Sequence, residues 1–336
     1  MIRIRMIILR ALILSLLLSW LPAGGLAWPS EPGPQDSTSG VVGSSLPFTV
    51  SGYAQLLFTG RNEAEDTFSI RRARLSLGGN ILKRLRFKLQ ADLVRSPALL
   101  DALAEVILDE KLNLRVGQFL VPFSLESTTS AGQLLTINRS RVVDLLAPGR
   151  DNGSAGRDIG LVAFGRLSMF NYTLGFLNGT GLNKKDDNEY KDFASRFTAS
   201  PAPGLTLGFS IYNGRRLDTT TSANLIRNRY GLEASWHYRH LLLIAEYIIG
   251  QDDQTEKSGW YFLGAFDLKP KRFQLVLKLD YFNPDRSLPD QSSLVYTTGV
   301  NWFLSPMSKL QANFEYHCLE GGPDYRVALL QLQVGF

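Results

Sequence analysis

Few side chains in this 336-residue chain could make or break a bond. There are three histidines, His237, His240 and His317, and a single cysteine, Cys318. Scattered imidazoles form no ligand set for a metal ion, and one thiol supports neither a disulfide framework nor a cysteine zinc site. Ser235 near His237 is the nearest approach to a nucleophile with its base, but same-face neighbours of that kind are common on strands. Gly179-Thr180-Gly181 and the glycines between 149 and 156 open no helix after a strand, as a phosphate cradle would. Asp186-Asp187-Asn188-Glu189 lacks the spacing of a calcium loop. No catalytic group, cofactor or metal is expected.

What remains is fixed charge. Arg72 and Arg74 stand two residues apart, as do Arg86 and Lys88, and Arg115 follows in a similar segment. A spacing of two places such residues on one face of an extended strand. Overall charge says less. Lys and Arg number 36 against 31 Asp and Glu, a formal +5. Residues 1–27 hold Arg3, Arg5 and Arg10 and no acid, so a chain beginning at Trp28 carries 33 − 31 = +2. A nucleic-acid binder advertises a far stronger basic patch, so nucleic acid is not an expected partner.

The elements that must position these charges are strands. Met1–Arg10 is basic, Ala11–Leu21 is apolar apart from two serines, and Pro22–Ala27 is rich in small residues. That is the layout of a secretory signal peptide over 1–27. Residues 28–47, rich in Pro, Gly and Ser, read as a flexible periplasmic leader. From Phe48 onward the apolar period is two: Leu85, Phe87, Leu89, Ala91 and Leu93 alternate with Arg86, Lys88, Gln90 and Asp92. Mean hydropathy of −0.04 argues against a bundle of membrane helices. Segments of about ten residues instead suit tilted strands that cross a bilayer, whereas soluble strands average about five or six. Aromatic residues gather near segment ends (Trp236/Tyr238, Trp260/Tyr261, Tyr281/Phe282, Trp302/Phe303), as in two interfacial girdles.

The segments are 48–58, 67–78, 84–93, 100–108, 112–119, 158–166, 170–178, 192–199, 205–213, 228–238, 241–250, 258–268, 273–282, 293–304, 309–318 and 325–336, sixteen in all. An even count leaves both termini on the periplasmic side, where the short connections 79–83, 109–111, 167–169, 239–240 and 305–308 then fall. Sixteen strands enclose an aqueous bore. The expected fold is all-β: a transmembrane antiparallel barrel over 48–336.

One connection stands out. Residues 121–157, the third outward loop, contain Leu134, Leu135, Ile137, Val142, Val143, Leu145 and Leu146, which a solvated loop does not need. Loops of this length are uncommon and usually functional. Folded inward, this one would narrow the bore and set its selectivity. A Lys or Arg facing lipid near the midplane costs about 2–4 kcal/mol, so strand charges should point inward. The inward basic set is then Arg72, Arg74, Arg86, Lys88, Arg115, Arg196 and Lys278. The inward acids are Asp92, Asp101, Glu105, Glu233, Glu246, Asp267, Asp280 and Glu315. The totals nearly cancel, but five of the seven bases lie on the second, third and fifth strands. They face a loop with Arg139, Arg141, Arg150 and Arg157 against Glu126, Asp144 and Asp151. Such a passage favours anions. Candidate constriction residues are Arg72, Arg74, Arg86, Lys88, Arg115, Arg139, Arg141 and Arg150.

Within 48–165 several stretches have a familiar form: Phe68-Ser69-Ile70-Arg71-Arg72-Ala73-Arg74-Leu75, Leu114-Arg115-Val116-Gly117-Gln118-Phe119 with Val121–Glu126, Asn138-Arg139-Ser140, Ala147-Pro148-Gly149-Arg150 and Arg157-Asp158-Ile159-Gly160. They resemble the phosphate-selective porin O/P family. The resemblance implies a trimeric outer-membrane channel for small anions, with phosphate or polyphosphate among the solutes. By position it places Arg72, Arg74, Arg115, Arg139, Arg141 and Arg150 at the constriction. It also implies contact with outer-membrane lipid and lipopolysaccharide, and a terminal aromatic, here Phe336, presented to the barrel assembly machinery. The family's phosphate-binding members carry an arginine ladder and a lysine cluster for which no counterpart is found here; Lys184–Glu189 is mixed in charge. Two other readings stay open. One is a general or cation-preferring porin for sugars and small solutes, which the lumen acids permit. The other is a structural, adhesive or lipid-processing barrel, for which most outer loops are short. Far-ultraviolet circular dichroism in detergent is expected to show sheet, and a mainly helical spectrum would refute the architecture.

Overall fold

The computed structural model describes residues 48–62 and 64–336, and the expected signal peptide and leader lie outside the described residues. Sixteen strands follow one another: β1 Phe48–Arg61, β2 Ala64–Leu82, β3 Leu85–Asp92, β4 Leu99–Ile107, β5 Asn113–Leu120, β6 Arg157–Leu167, β7 Phe170–Leu177, β8 Asp192–Ala202, β9 Leu205–Leu217, β10 Asn224–Tyr238, β11 Leu241–Asp252, β12 Thr255–Lys269, β13 Phe273–Asn283, β14 Ser293–Phe303, β15 Lys309–Leu319 and β16 Tyr325–Gly335. Each pairs antiparallel with its sequence neighbours, and β1 closes on β16 from Tyr53 opposite Gly335 to Arg61 opposite Val327. Closure leaves no strand edge, the condition a sheet must meet in hydrocarbon. Count and order agree with the sequence expectation, and strand ends differ from it by no more than four residues.

The period of two sorts the wall. On β13, Leu275, Leu277 and Leu279 are exposed to the outside while Gln274, Val276, Lys278 and Asp280 are buried toward the bore. Outward aromatics stack across the girdles, Trp236 on Tyr238, Trp260 on Tyr281 and Phe273 on Trp302. Adjacency in sequence misleads at Tyr261 and Phe282, which are buried inside: neighbours on a strand point to opposite faces.

One irregularity matters for the bore. Gln55 of β1 lies opposite Arg72 of β2, but Leu56 lies opposite Ile70, so Arg71 is an extra residue in a β-bulge. Phe68 and Ile70 thereby stay on the lipid face, at 84% and 58% exposure, while Arg74 and Arg72 keep to the lumen face. On the periplasmic side most turns hold two or three residues, such as 83–84, 168–169, 203–204, 239–240 and 270–272. The longest connections, 121–156 and 178–191, lie on the other side, although 253–254 there is also short.

Gly117 in β5 has φ of 121°, and a Cβ there would sit 2.2 Å from the carbonyl oxygen of Ala102 on β4. Gly117→Val combines that clash with roughly 1–3 kcal/mol of backbone strain. The expected outcome is loss of the compact, heat-modifiable band on unboiled gels.

Candidate functional site

The loop from β5 to β6, residues 121–156, lies inside the barrel and contains two short helices, α1 Leu125–Thr128 and α2 Arg141–Leu146. Backbone buried away from water must find partners, and the wall provides them. Glu246 of β11 accepts hydrogen bonds from the amides of Leu125 (3.0 Å) and Glu126 (2.7 Å), at the start of α1. Asp280 of β13 accepts the amide of Arg141, at the start of α2. Two wall carboxylates thus satisfy amides at helix N-termini that would otherwise be orphaned. Asn301 donates to the carbonyl of Leu135 (2.9 Å), Lys278 to that of Asn138 (2.9 Å), and Asn313 accepts the amide of Ile137 (2.7 Å). On the return limb Asp151 is held by Arg227 and Arg229 of β10, each at 3.1 Å, and Arg229 also donates to the carbonyl of Leu146.

Apolar packing completes the seat. Phe123, Val142, Val143 and Leu146 are buried against Tyr212, Ile248, Tyr261 and Val276 of the wall. Each fully buried side chain of this kind stabilises by about 1.5–3 kcal/mol. The wall is hollowed to receive them: a Cβ on Gly259 would lie 2.7 Å from Val142, and one on Gly250 3.0 Å from Leu146. Leu145 is the exception among the apolar loop residues, 43% exposed and facing open space.

Between the loop and the β2–β3 wall lies a cavity of about 280 Å³. Seven arginines line it, Arg71, Arg72, Arg74, Arg95, Arg139, Arg150 and Arg157, with only two carboxylates, Asp92 and Asp144. Arg74 pairs with Asp92 at 3.1 Å, and Asp144 is 3.9 Å from Arg150. The other partners are mostly neutral: Arg72 donates to Gln55, Arg71 to Asn138, Arg139 to the carbonyls of Glu126 and Thr129, and Arg150 to Ser127. A guanidinium has five N–H donors, so these contacts orient the groups and leave further donors for a ligand. Arg95 Nε is buried with no partner. Burial pushes the Arg139 and Arg150 guanidinium groups down from the ordinary arginine value. Glu126 and Asp144 oppose that shift at Arg139, and the proximity of Arg139 adds to it at Arg150. Crowded, partly desolvated cations of this kind are relieved by an anion.

A second cavity, also about 280 Å³, lies toward β13–β15 and shares Arg139 and Asp144 with the first. Arg141 and Lys278 there face Asp280 and Glu315, so that side is balanced in charge. Of the eight sequence candidates, Arg72, Arg74, Arg139 and Arg150 come together in the basic cavity and Arg141 lines the second. The remaining three lie elsewhere on the lumen face. Lys88 pairs with Asp101 at 2.9 Å, which also binds Arg157. Arg115 pairs with Glu105 at 2.7 Å, between the rings of Phe119 and Phe164. Arg86 lies opposite Glu105 and near the periplasmic turn.

Arg71 and Arg95 were not legible as lining residues. Strict alternation excludes Arg71, although apolar residues at 68 and 70 and then at 75 and 77 record a change of phase. Arg95 lies in a connection and has no periodic signal.

The family model described as phosphate-selective porin O and P matches residues 51–210 and 208–320, well beyond the stretch legible by eye. Similar solved structures include an anion-selective porin from Comamonas acidovorans (TM-score 0.65, 13% identity, covering 86% of this chain and 99% of that one). OmpT, an outer membrane protein of Vibrio cholerae, matches with TM-score 0.65 and 10% identity over 86% and 97% of the two chains. Salmonella typhi OmpF, in complex with daunomycin, matches with TM-score 0.64 and 9% identity over 86% and 97%. No curated protein matches.

Removing one partner from a buried charge network costs about 3–5 kcal/mol. Asp151→Ala is therefore expected to release the return limb, seen as greater open-channel noise and new protease cleavage within 121–156. Silent, protease-resistant channels would show that the apolar seat alone holds the loop.

Proposed function

The chain belongs to the phosphate-selective porin O and P family, porins of the bacterial outer membrane, and on that footing we propose that it is a passive, water-filled channel whose constriction admits small anions, phosphate among them. The observation that carries this reading is the basic cavity: seven guanidinium groups against two carboxylates where the loop approaches the wall. In a narrow passage bounded by protein, such a field raises the local anion concentration and repels cations. Arginine suits the task because its planar fork can give two parallel hydrogen bonds to a phosphate, and it stays charged at any physiological pH.

Solutes would move by diffusion past Arg72, Arg74 and Arg71 on one side and Arg139 and Arg150 on the other. The fold similarity includes OmpT of Vibrio cholerae described in a trimer form, and association of three barrels is proposed here too. Phe336 exchanges backbone hydrogen bonds with Gly52, both at 3.0 Å, and the residue is 65% exposed. That position supports presentation of the terminal aromatic to the assembly machinery, with lipid and lipopolysaccharide around the folded barrel.

Reconstituted in a planar bilayer across a KCl gradient, the mature protein is expected to give a chloride-favouring reversal potential and a current blocked by added phosphate. Arg71→Ala with Arg72→Ala and Arg74→Ala should lower the anion/cation permeability ratio several-fold. A cation-favouring potential without block would sink the proposal and leave the acids at the second cavity, Asp144, Asp280 and Glu315, in control.

A further inference from the structure

The cavity toward β13–β15 plays no part in anion selection, and its wall is a small grid of lumen-facing residues. Asp280 of β13, Val295 of β14 and His317 of β15 lie on one rung, and Lys278, Thr297 and Glu315 of the same strands lie on the next. Strand spacing and rise make that grid about 10 by 7 Å. All six residues line the cavity, and the loop closes over them with Asn138, Arg139, Arg141, Asp144 and Leu145. Three cations, Arg139, Arg141 and Lys278, meet three acids, Asp144, Asp280 and Glu315. That balance favours neither a net anion nor a net cation.

Three polar atoms of this wall are buried without a hydrogen-bond partner: Asp280 Oδ1, Thr297 Oγ1 and His317 Nδ1. The residues are 2%, 2% and 8% exposed, and native structures rarely leave such atoms unmet. Neighbouring bonds fix how each can act. Asp280 Oδ2 takes the amide of Arg141, with that of Val142 nearby, and Oδ1 can only accept. His317 Nε2 lies 3.1 Å from Glu315 Oε2; the carboxylate accepts, so Nε2 donates and Nδ1 of the neutral ring is an acceptor. Tyr325 of β16 holds the imidazole in that pose, stacked at 4.2 Å and 12°. Lys278 is committed to Thr136 and the carbonyl of Asn138, and Glu315 to Asn138 and His317. The Arg141 guanidinium, by contrast, has no hydrogen-bond partner among the described residues. The Asp144 side chain is 54% exposed and Leu145 beside it is exposed too, so the cavity opens to the bore at that edge.

We propose that this cavity is a binding site for a neutral, polyhydroxylated solute of monosaccharide size. Its hydroxyls donate to Asp280 Oδ1 and His317 Nδ1, bond to Thr297 in either direction, and accept from Arg141. Leu145 and Val295 offer apolar surface to the C–H side of such a molecule. A few converging polar atoms beside apolar surface are what fixes a small ligand in a pocket. Water would satisfy the polar atoms but leave Leu145 exposed. An inorganic anion would meet Asp280 and Glu315, and an amine would meet Arg141 and Lys278. The site is separate from the basic cavity and does not depend on the channel's anion preference.

The test uses the full mature barrel in a planar bilayer at fixed KCl, with glucose and, separately, mannitol as probes, read as excess current noise. Each binding event interrupts the ion flow, so at least one probe is expected to add noise that saturates at a defined concentration. Triethylene glycol dimethyl ether at matched viscosity accepts hydrogen bonds but donates none, and it should add no saturable noise. Thr297→Val keeps the side-chain shape and should raise the half-saturating concentration roughly 2- to 12-fold, the ratio set by one ordinary hydrogen bond. His317→Phe keeps a ring over Tyr325 and should raise it by a similar factor. Both variants should retain the heat-modifiable band and the reversal potential, and if one fails to fold the other decides. No saturable noise with either probe, equal noise with the ether, or an unchanged half-saturation in a folded variant would each overturn the proposal.

Discussion

A loop folded into a barrel takes its backbone amides and carbonyls out of bulk water, and every one of them needs a partner. The rest of this channel follows from that requirement. The wall commits Glu246, Asp280, Asn301, Gln311, Asn313 and Lys278 to the loop from 121 to 156. Several lumen acids are therefore occupied in holding protein to protein. The arginines of β2 are oriented chiefly by neutral groups, Gln55 and Asn138. A near-zero sum of lumen charge thus conceals two populations, groups of both signs used as fasteners, such as Glu246, Asp280, Lys278 and Arg229, and the arginines that line the basic cavity.

The same requirement shapes the bore. The helices of the loop are seated on β9–β13 and its residues 134–137 on β14–β16, so the open space is left as two cavities, one toward β2–β3 and one toward β13–β15. One flank of that space is basic and the other balanced. The consequence is a lateral field that draws an anion toward β2 and pushes a cation away from it, which a uniformly lined tube would not exert.

The barrel was legible because a bilayer imposes a minimum strand length and one period, and Leu85–Leu93 and Leu330–Phe336 display the period without ambiguity. The inward course of the loop was legible in Ile137, Val142, Val143 and Leu146, which are buried as their composition requires. The site was only partly so. Parity assigns a face but no height, which is why Arg86, Lys88 and Arg115 point into the lumen yet stand apart from the cavity lined by Arg72 and Arg74. Height depends on register and tilt, set by pairings far apart in sequence. Arg227 went unnoticed because β10 begins four residues before its apolar pattern does, at Asn224, whereas Arg229 lies inside the expected segment on the inward parity of Glu233 and was legible but not singled out.

The bulge at Arg71 adds something that alternation cannot. Where the ladder is regular a wall residue is locked to its face, so changing the charge of the pore there means replacing one side chain by another. At position 71 the pairing on either side already accommodates one residue without an opposite number. The in-frame loss of this single codon would remove a cation from the cavity and leave regular pairing, with Phe68, Ile70, Leu75 and Leu77 kept on the outer face. A deletion, usually ruinous inside a strand, is at this point one that the pairing can absorb.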